Sequence, residues 1–210
     1  MKNRLFMQRG ITMMEIMVTL AIVAIVLAVG IPSLSTWVQN NQVKSTAQSL
    51  LTGLQLARGT AVSQNTQAQF TLTGTSAGSA DWQVIAASSS VPGSFLASDG
   101  ATTIQTVPSA EMGANAVVGV NNLTWSTSCC ATAIAAGTGM GSSPSVVFDA
   151  FGRMVTASST IQRIDVTSTT DANSSANEAA YRRRVILISP SGTAILCRPS
   201  LPSTNPQGCP

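Results

Sequence analysis

The pattern of apolar positions changes near residue 32. Residues 11–31 are almost continuously apolar, and Glu15 is their only charge. An α-helix rises about 1.5 Å per residue, so this run would span about 30 Å, the thickness of a bilayer core. The pattern therefore predicts a membrane-spanning helical segment over residues 11–32, closed by Pro32.

Residues 33–65 have helical periodicity instead. Their apolar residues recur at spacings of three and four, which is one face of an amphipathic helix: Val43, Ala47, Leu50, Leu54, Ala57 and Ala61. Gly53 and Gly59 weaken this helix locally. One helix over residues 11–64 would be about 80 Å long, so its first half is expected to lie in a membrane or among other subunits.

Residues 66–210 predict a β-rich head. Short apolar runs, several of them alternating with polar residues, are separated by Gly, Pro, Ser and Asp clusters, as in antiparallel sheets. The runs lie at 68–72, 82–86, 104–107, 146–148, 164–166, 185–188 and 194–196, with loops at 74–80, 87–103, 131–144 and 167–179. The fold class that follows is α+β, with the head packed against the amphipathic helix.

Composition argues against an enzyme. The 210 residues are 44% apolar and 9% charged, and they contain no histidine. The usual general base, the usual zinc ligand and the histidine-activated nucleophiles are therefore missing, so we expect no catalytic site, no metal and no cofactor. The net charge of +3 belongs to the first ten residues, because eight basic residues face eight acidic ones from residue 11 onward.

Residues 1–10, MKNRLFMQRG, are followed by ITMMEI. This segment resembles the class 3 signal of type IV prepilins: a short basic leader that ends in glycine, then an apolar residue, with glutamate at the fifth mature position. The resemblance implies that a prepilin peptidase cuts after Gly10 and methylates the new N-terminus at Ile11, where the family usually has phenylalanine. The alternatives are an uncleaved membrane anchor and a secretory signal peptide, although no A-x-A site follows the run.

The physical chemistry of this segment agrees with the resemblance. The positive charges before the run hold that end in the cytoplasm. A carboxylate within a membrane is costly without a partner, and cleavage would create an amine at Ile11 for which Glu15 is a counter-ion, on the same subunit or a neighbouring one. The chain is thus expected to cross the bacterial inner membrane once, with a periplasmic head, before it enters a pilus or pseudopilus.

Three further segments resemble the GspH/FimT family of minor pilins and pseudopilins. In LQLARGTAVSQN, residues 54–65, the matching positions are Ala57, Arg58, Ala61 and Val62, while Thr60 stands where an acidic residue is usual. The sequence FDAFGR, residues 148–153, resembles a Phe-x-x-x-Gly turn of the family, and SPSGTAILC resembles its last hairpin, with the turn at Ser191 and Gly192. The resemblance implies the type IV pilin fold.

Four cysteines lie in the predicted head. We favour a disulfide between Cys197 and Cys209, which would tie down a proline-containing tail and contribute about 3 kcal/mol by loop entropy. Cys129 and Cys130 are left to form a vicinal bridge or to stay reduced, and cross-pairing stays open because four cysteines allow three connectivities. Sequence neighbours are poor tetrahedral ligands, so a zinc site is disfavoured.

Charge is unevenly distributed along the head. No basic residue lies between Arg58 and Arg153, whereas four arginines are grouped towards the C-terminus: Arg182, Arg183, Arg184 and Arg198. Such a basic edge could hold DNA phosphates, as in some relatives. Those relatives carry Gly-Arg-x-Arg on the final hairpin, and residues 192–195 lack both arginines. A solvated strand start, or a contact with the acidic face of another subunit, is therefore favoured.

These features predict a minor pilin that takes part in initiation and assembly of a type IV pilus. A GspH-like pseudopilin of a type II secretion system is the alternative on the same scaffold, and a DNA-binding minor pilin for transformation is another. The resemblance implies as partners other minor pilins and the major pilin, the prepilin peptidase, the inner-membrane assembly platform and membrane lipid. DNA is possible but not favoured.

Overall fold

The computed structural model describes residues 10–74, 78–121, 130, 132–157, 159–171 and 182–210, with the backbone alone at residues 29–33, 142 and 171. By compactness the chain divides into two units at the boundary between Val38 and Gln39. The second unit contains the second half of the long helix together with every strand of the described residues.

Helix α1 runs from Met13 to Gln64 without a break, so the two predicted helical segments form one helix and the end expected at Pro32 is wrong. Thr12 caps its first turn, because the backbone N–H of Glu15 lies 3.3 Å from Thr12 Oγ1. The helix ends at Asn65, which adopts a positive φ of 51°. In the part of the chain whose side chains are described, no helix is long and apolar enough to cross a membrane.

The predicted apolar face of α1 is buried. Its six residues are at most 1% exposed: Val43, Ala47, Leu50, Leu54, Ala57 and Ala61. Gly53 lies within this face, where an added Cβ would come within 2.8 Å of Phe70 Cε2 and 3.0 Å of the Trp82 ring. The missing side chain at Gly53 therefore lets the helix approach the two largest aromatic residues of the core. Trp82 Nε1 donates a hydrogen bond to Ser49 Oγ at 3.1 Å on the same helix.

Within the described residues, eight strands form two antiparallel four-stranded sheets. The first sheet has the order β3-β2-β1-β5, with β1 Ala68–Leu72, β2 Trp82–Ala86, β3 Thr102–Val107 and β5 Ser145–Phe148. The second has the order β4-β6-β7-β8, with β4 Ala116–Asn121, β6 Arg163–Ser168, β7 Arg184–Ile188 and β8 Ala194–Cys197. A short helix α2, Ser109–Met112, lies between β3 and β4 along the chain.

One hydrophobic core joins the buried face of α1 to both sheets. Residues of the first sheet, such as Phe70 and Val146, and of the second, such as Ile164 and Ile186, belong to the same cluster as Leu54. The helix packed on antiparallel sheets is the α+β fold that the resemblance implied. All seven predicted runs coincide with strands, whereas β4 was not predicted.

Candidate functional site

The predicted cleavage position lies just before α1. Of the leader, the structure describes Gly10 alone, and residues 1–9 lie outside the described part. Gly10 is exposed, and a Cβ added there would meet nothing within 4 Å. Ile11 is 72% exposed. Both residues of the predicted cleavage position are therefore exposed.

Glu15 occupies the first turn of α1 and is exposed to solvent. Thr12 and Glu15 together form the Thr-x-x-Glu sequence of a capping box, and a carboxylate in the first turn interacts favourably with the helix dipole. This helix-start signal lies at the beginning of the apolar run, and our sequence interpretation did not use it. The ion pairs found among the described residues do not include Glu15. The amine expected as its counter-ion would arise only after cleavage.

The first half of α1 presents a continuous apolar surface. Twelve large apolar side chains between residues 11 and 27 have exposed fractions from 45% to 78%. They are Ile11, Met13, Met14, Ile16, Met17, Val18, Leu20, Ile22, Val23, Ile25, Val26 and Leu27. Soluble monomers rarely expose an apolar surface of this extent, which is typical of a segment that contacts a membrane or other proteins.

The four grouped arginines do not form one solvated edge. Arg183 is buried, and its Nη1 lies 2.6 Å from Asp165 Oδ2. Arg163 Nε binds the other oxygen of the same carboxylate at 2.5 Å, and the three side chains are at most 4% exposed. The expectation of a solvated strand start is therefore wrong for Arg183, because Asp165 neutralises it beneath a loop.

That loop covers the outer face of the second sheet. Arg163 Nη2 donates to the Thr132 carbonyl at 2.7 Å, and Arg183 Nη2 donates to the Cys130 carbonyl at 2.9 Å. The Ile134 N–H in turn donates to Asp165 Oδ2 at 3.1 Å. The charged trio thus holds Cys130, Thr132 and Ile134 against the second sheet.

Arg184 and Arg198 belong to a different environment. Together with Lys44 and Gln48 of α1, Leu196 and Gln207, they line a recess of about 280 Å³, which we call the basic recess. Arg184 is 9% exposed, so the solvated side chain expected here is not observed either. Burial, followed by the positive charges of Arg198 and Arg182, lowers the pKa of Arg184. Lys44 is a member that the sequence analysis missed, since it lies far away along the chain.

The predicted C-terminal disulfide is confirmed. Cys197 and Cys209 are bonded, with their Cα atoms 5.0 Å apart. Cys130 Sγ lies within 4.8 Å of both sulfurs, but none of these three cysteines is free, so they offer no thiolate to a metal in this oxidised form. The vicinal pairing proposed for Cys130 involves Cys129, which lies outside the described residues.

The three segments that carry the GspH/FimT resemblance meet at one junction. Arg58 Nε of α1 donates to the Gly152 carbonyl at 3.0 Å, within the FDAFGR turn. Gly192, in the last hairpin, has a φ of 81°, and a Cβ added there would lie 1.9 Å from the same carbonyl oxygen. Thr60 is 7% exposed, so the position where the family usually has an acidic residue is buried here.

A larger cavity, of about 710 Å³, lies beside the end of α1 and the FDAFGR turn. Polar uncharged and small residues line it, and Asp149 is the one titratable side chain among its described lining residues. Phe151, at the tip of the turn, is 79% exposed. This cavity brings together no acid–base pair and no metal-ligand set within the described part of the chain.

Comparisons with known proteins give one family match and two similar solved structures. A family model described as "Type II transport protein GspH" matches residues 46–192. Two crystal structures of the type IV minor pilin FimU of Pseudomonas aeruginosa are similar, at 18% and 17% identity with TM-scores of 0.46 and 0.42. The similarity covers 82% and 79% of this chain and 98% of each solved chain. No curated protein sequence matches significantly.

Proposed function

Because the chain belongs to the family of the type II transport protein GspH, we propose that it is a pilin-like filament subunit without catalytic turnover. Within that class we propose a minor pilin that takes part in initiation and assembly of a type IV pilus. The apolar surface of residues 11–27 carries this proposal, because a water-exposed surface of that extent needs another apolar surface to cover it.

The proposed mechanism begins at the N-terminus. Before assembly, the apolar run lies in the inner membrane, and in the sequence it extends to residue 31, beyond the residues whose side chains are described. The prepilin peptidase removes residues 1–10 and methylates Ile11, and Glu15 then neutralises the amine of its own or a neighbouring subunit. The helix α1 then packs among the helices of other minor pilins and the major pilin, and this packing favours transfer of the subunit from the bilayer into the filament. The assembly platform drives this transfer.

A pseudopilin of a type II secretion system is the second candidate, and the description of the matching family supports it. Deletion of the gene separates the two, with twitching and exoprotein secretion scored in the same strain. A pilus subunit predicts lost twitching with normal secretion, whereas a pseudopilin predicts the reverse. Transformation scored in parallel tests the DNA-uptake alternative.

The role of the apolar surface needs a separate test. The deletion strain is complemented with an Ile22→Asp variant, which places a charge on a side chain that is 56% exposed. Its matched control is Val91→Asp, at a 47% exposed apolar residue of the head. We expect Ile22→Asp to be made but not assembled and Val91→Asp to restore function. Full function of Ile22→Asp would contradict the proposed packing of α1.

A further inference from the structure

Among the described residues, the basic recess is a concentration of positive charge without a balancing acid. Lys44, Arg184 and Arg198 line it, and none of the lining residues that the structure describes is acidic. Within the described residues, the ion pairs involve Arg153, Arg163 and Arg183, and none involves these three cations. The recess therefore differs from the Asp165 trio close by, where a carboxylate lies between the guanidinium groups.

The two arginines of the recess also have hydrogen-bond donors that lack a partner among the described residues. The Nε atoms of Arg184 and Arg198 are buried and make no hydrogen bond. Buried polar groups are nearly always hydrogen-bonded in folded proteins, and unsatisfied ones are unfavourable. The pKa of Arg184 is lowered as well, because burial and its two positive neighbours, Arg198 and Arg182, disfavour the charged form. A bound anion would relieve both the missing hydrogen bonds and the repulsion.

The walls of the recess are held in place by the fold. Lys44 and Gln48 come from α1, Arg184 from β7, and Leu196 from β8. Gln207 belongs to the loop that the Cys197–Cys209 disulfide closes, and the Arg198 N–H donates to the Gln207 carbonyl at 2.7 Å. Donors fixed in this way recognise an anion without further ordering.

We propose that the basic recess binds one oxyanionic group, the carboxylate of an acidic side chain on another filament subunit. This inference rests on the proposed function for the identity of the carrier. Guanidinium groups bind carboxylates strongly through charge-assisted hydrogen bonds. A recess of about 280 Å³ has room for the end of one side chain. Duplex DNA is a poorer fit, because its affinity grows with the number of phosphates neutralised, and Arg183 is already paired with Asp165.

The first test observes the arginine side chains directly. Nε–H resonances of the full-length protein in non-ionic detergent are recorded by NMR while sodium acetate is added at constant ionic strength. We expect the Arg184 and Arg198 signals to move together along one saturable curve, while the Arg153 signal, which belongs to an exposed ion pair, stays in place. Unchanged Arg184 and Arg198 signals would overturn the proposal.

The second test measures affinity with matched charge variants. The probe is a glycine-flanked glutamate peptide, and its glutamine version is the blank. Arg184→Gln should weaken binding at least about tenfold, whereas Arg153→Gln, which removes the same charge elsewhere, should leave it unchanged. If Arg184→Gln does not fold, Lys44→Gln replaces it, because Lys44 is exposed. Equal losses in both charge variants would overturn a specific site.

Two further results separate the carrier from the site. A 20-base-pair DNA duplex is tested beside the peptide. If the duplex binds more tightly, and its affinity falls with salt as expected for several neutralised phosphates, the ligand of the recess is DNA and not a subunit carboxylate. Saturable acetate binding in a protein whose deletion affects neither pilus nor secretion would refute the filament subunit as the carrier and retain an oxyanion site. Failure of the proposed function and failure of the recess thus give different outcomes.

Discussion

Gly53 and Gly59 lie six residues apart on α1, but their surroundings differ. A Cβ at Gly59 would meet nothing within 4 Å, whereas one at Gly53 would press on the Phe70 and Trp82 rings. Glycine in a helix interior costs about 1 kcal/mol relative to alanine. We therefore expect Gly59→Ala to raise the free energy of unfolding by about this amount, and Gly53→Ala to lower it. Urea unfolding of both variants checks the pair, and a loss of stability in Gly59→Ala would contradict the prediction.

Asp165 is expected to contribute more to the free energy of unfolding than Asp149, which forms an ion pair at the surface. Asp165→Asn leaves two buried guanidinium groups without a counter-charge, which we expect to lower the free energy of unfolding by about 3 kcal/mol. Asp149→Asn is the control, because Asp149 pairs with Arg153, whose side chain is 66% exposed, and such pairs contribute about 1 kcal/mol or less. Similar losses in the two variants, measured by urea unfolding, would mean that Asp165 does not anchor Cys130, Thr132 and Ile134.

At the scale of single elements, the short helix α2 provides a pH-dependent contact. Asp81 Oδ1 accepts the Ser109 N–H at 2.6 Å. Burial alone would raise the pKa of Asp81, but hydrogen bonds from Ser109 and Ser79 outweigh it and hold the pKa below its ordinary value of 3.8. The carboxylate therefore stabilises the fold at neutral pH, and this contribution is lost from about pH 5 downward as the group becomes protonated.

The measurement is the free energy of unfolding against pH, for the natural protein and for Asp81→Asn. We expect the two curves to be separated at pH 7 and to converge at low pH, where the carboxyl is neutral in both the folded and the unfolded state. A constant separation across the range would show that Asp81 acts through packing and not through its charge.

The tail after β8 depends on its disulfide. The separation of 12 residues between Cys197 and Cys209 gives a loop-entropy contribution of about 3 kcal/mol. Both cysteines are changed to serine together, because a single remaining thiol would lie near Cys130. We expect faster amide hydrogen exchange at Arg198 and Gly208, while amides of β6 keep their protection. Unchanged exchange in the tail would contradict this role.

How far the sequence predicts an element depends on what covers its two faces. The stripe of α1 has one buried and one exposed face, so its periodicity locates every core residue. Strand β4 has five consecutive buried residues, and a Cβ at Gly119 would lie 2.3 Å from the Ala135 carbonyl of the covering loop. Strands β5 and β7 are buried along their whole length too, but their apolar runs contain no glycine. Gly119 interrupts the apolar run of β4 and weakens its strand signal, and for that reason β4 escaped prediction.

The candidate site shows the same limit. Arg183 and Arg184 are adjacent in the sequence, yet their side chains belong to different environments because successive residues of an extended segment point to opposite faces. One binds Asp165 under a loop, and the other lines the basic recess with Lys44. The charge count predicted a basic region, but the burial of its members follows from tertiary packing. The disulfide was predictable because it closes a short loop between cysteines 12 residues apart.

For the whole molecule, removal of the leader would change the net charge. Three of the eleven basic residues precede Ile11 and all eight acidic residues follow it, so removal of residues 1–10 leaves eight against eight and lowers the formal charge from +3 to zero.

We expect mass spectrometry to find a methylated N-terminus at Ile11 when the chain is expressed with an active prepilin peptidase. The Gly10→Val variant should keep its leader, with or without Met1. The control variant Gln8→Val should be cut normally. The side chain added at Gly10 meets nothing within 4 Å, so an uncut product would report peptidase recognition and not misfolding. An intact leader on the natural chain would instead identify an uncleaved anchor.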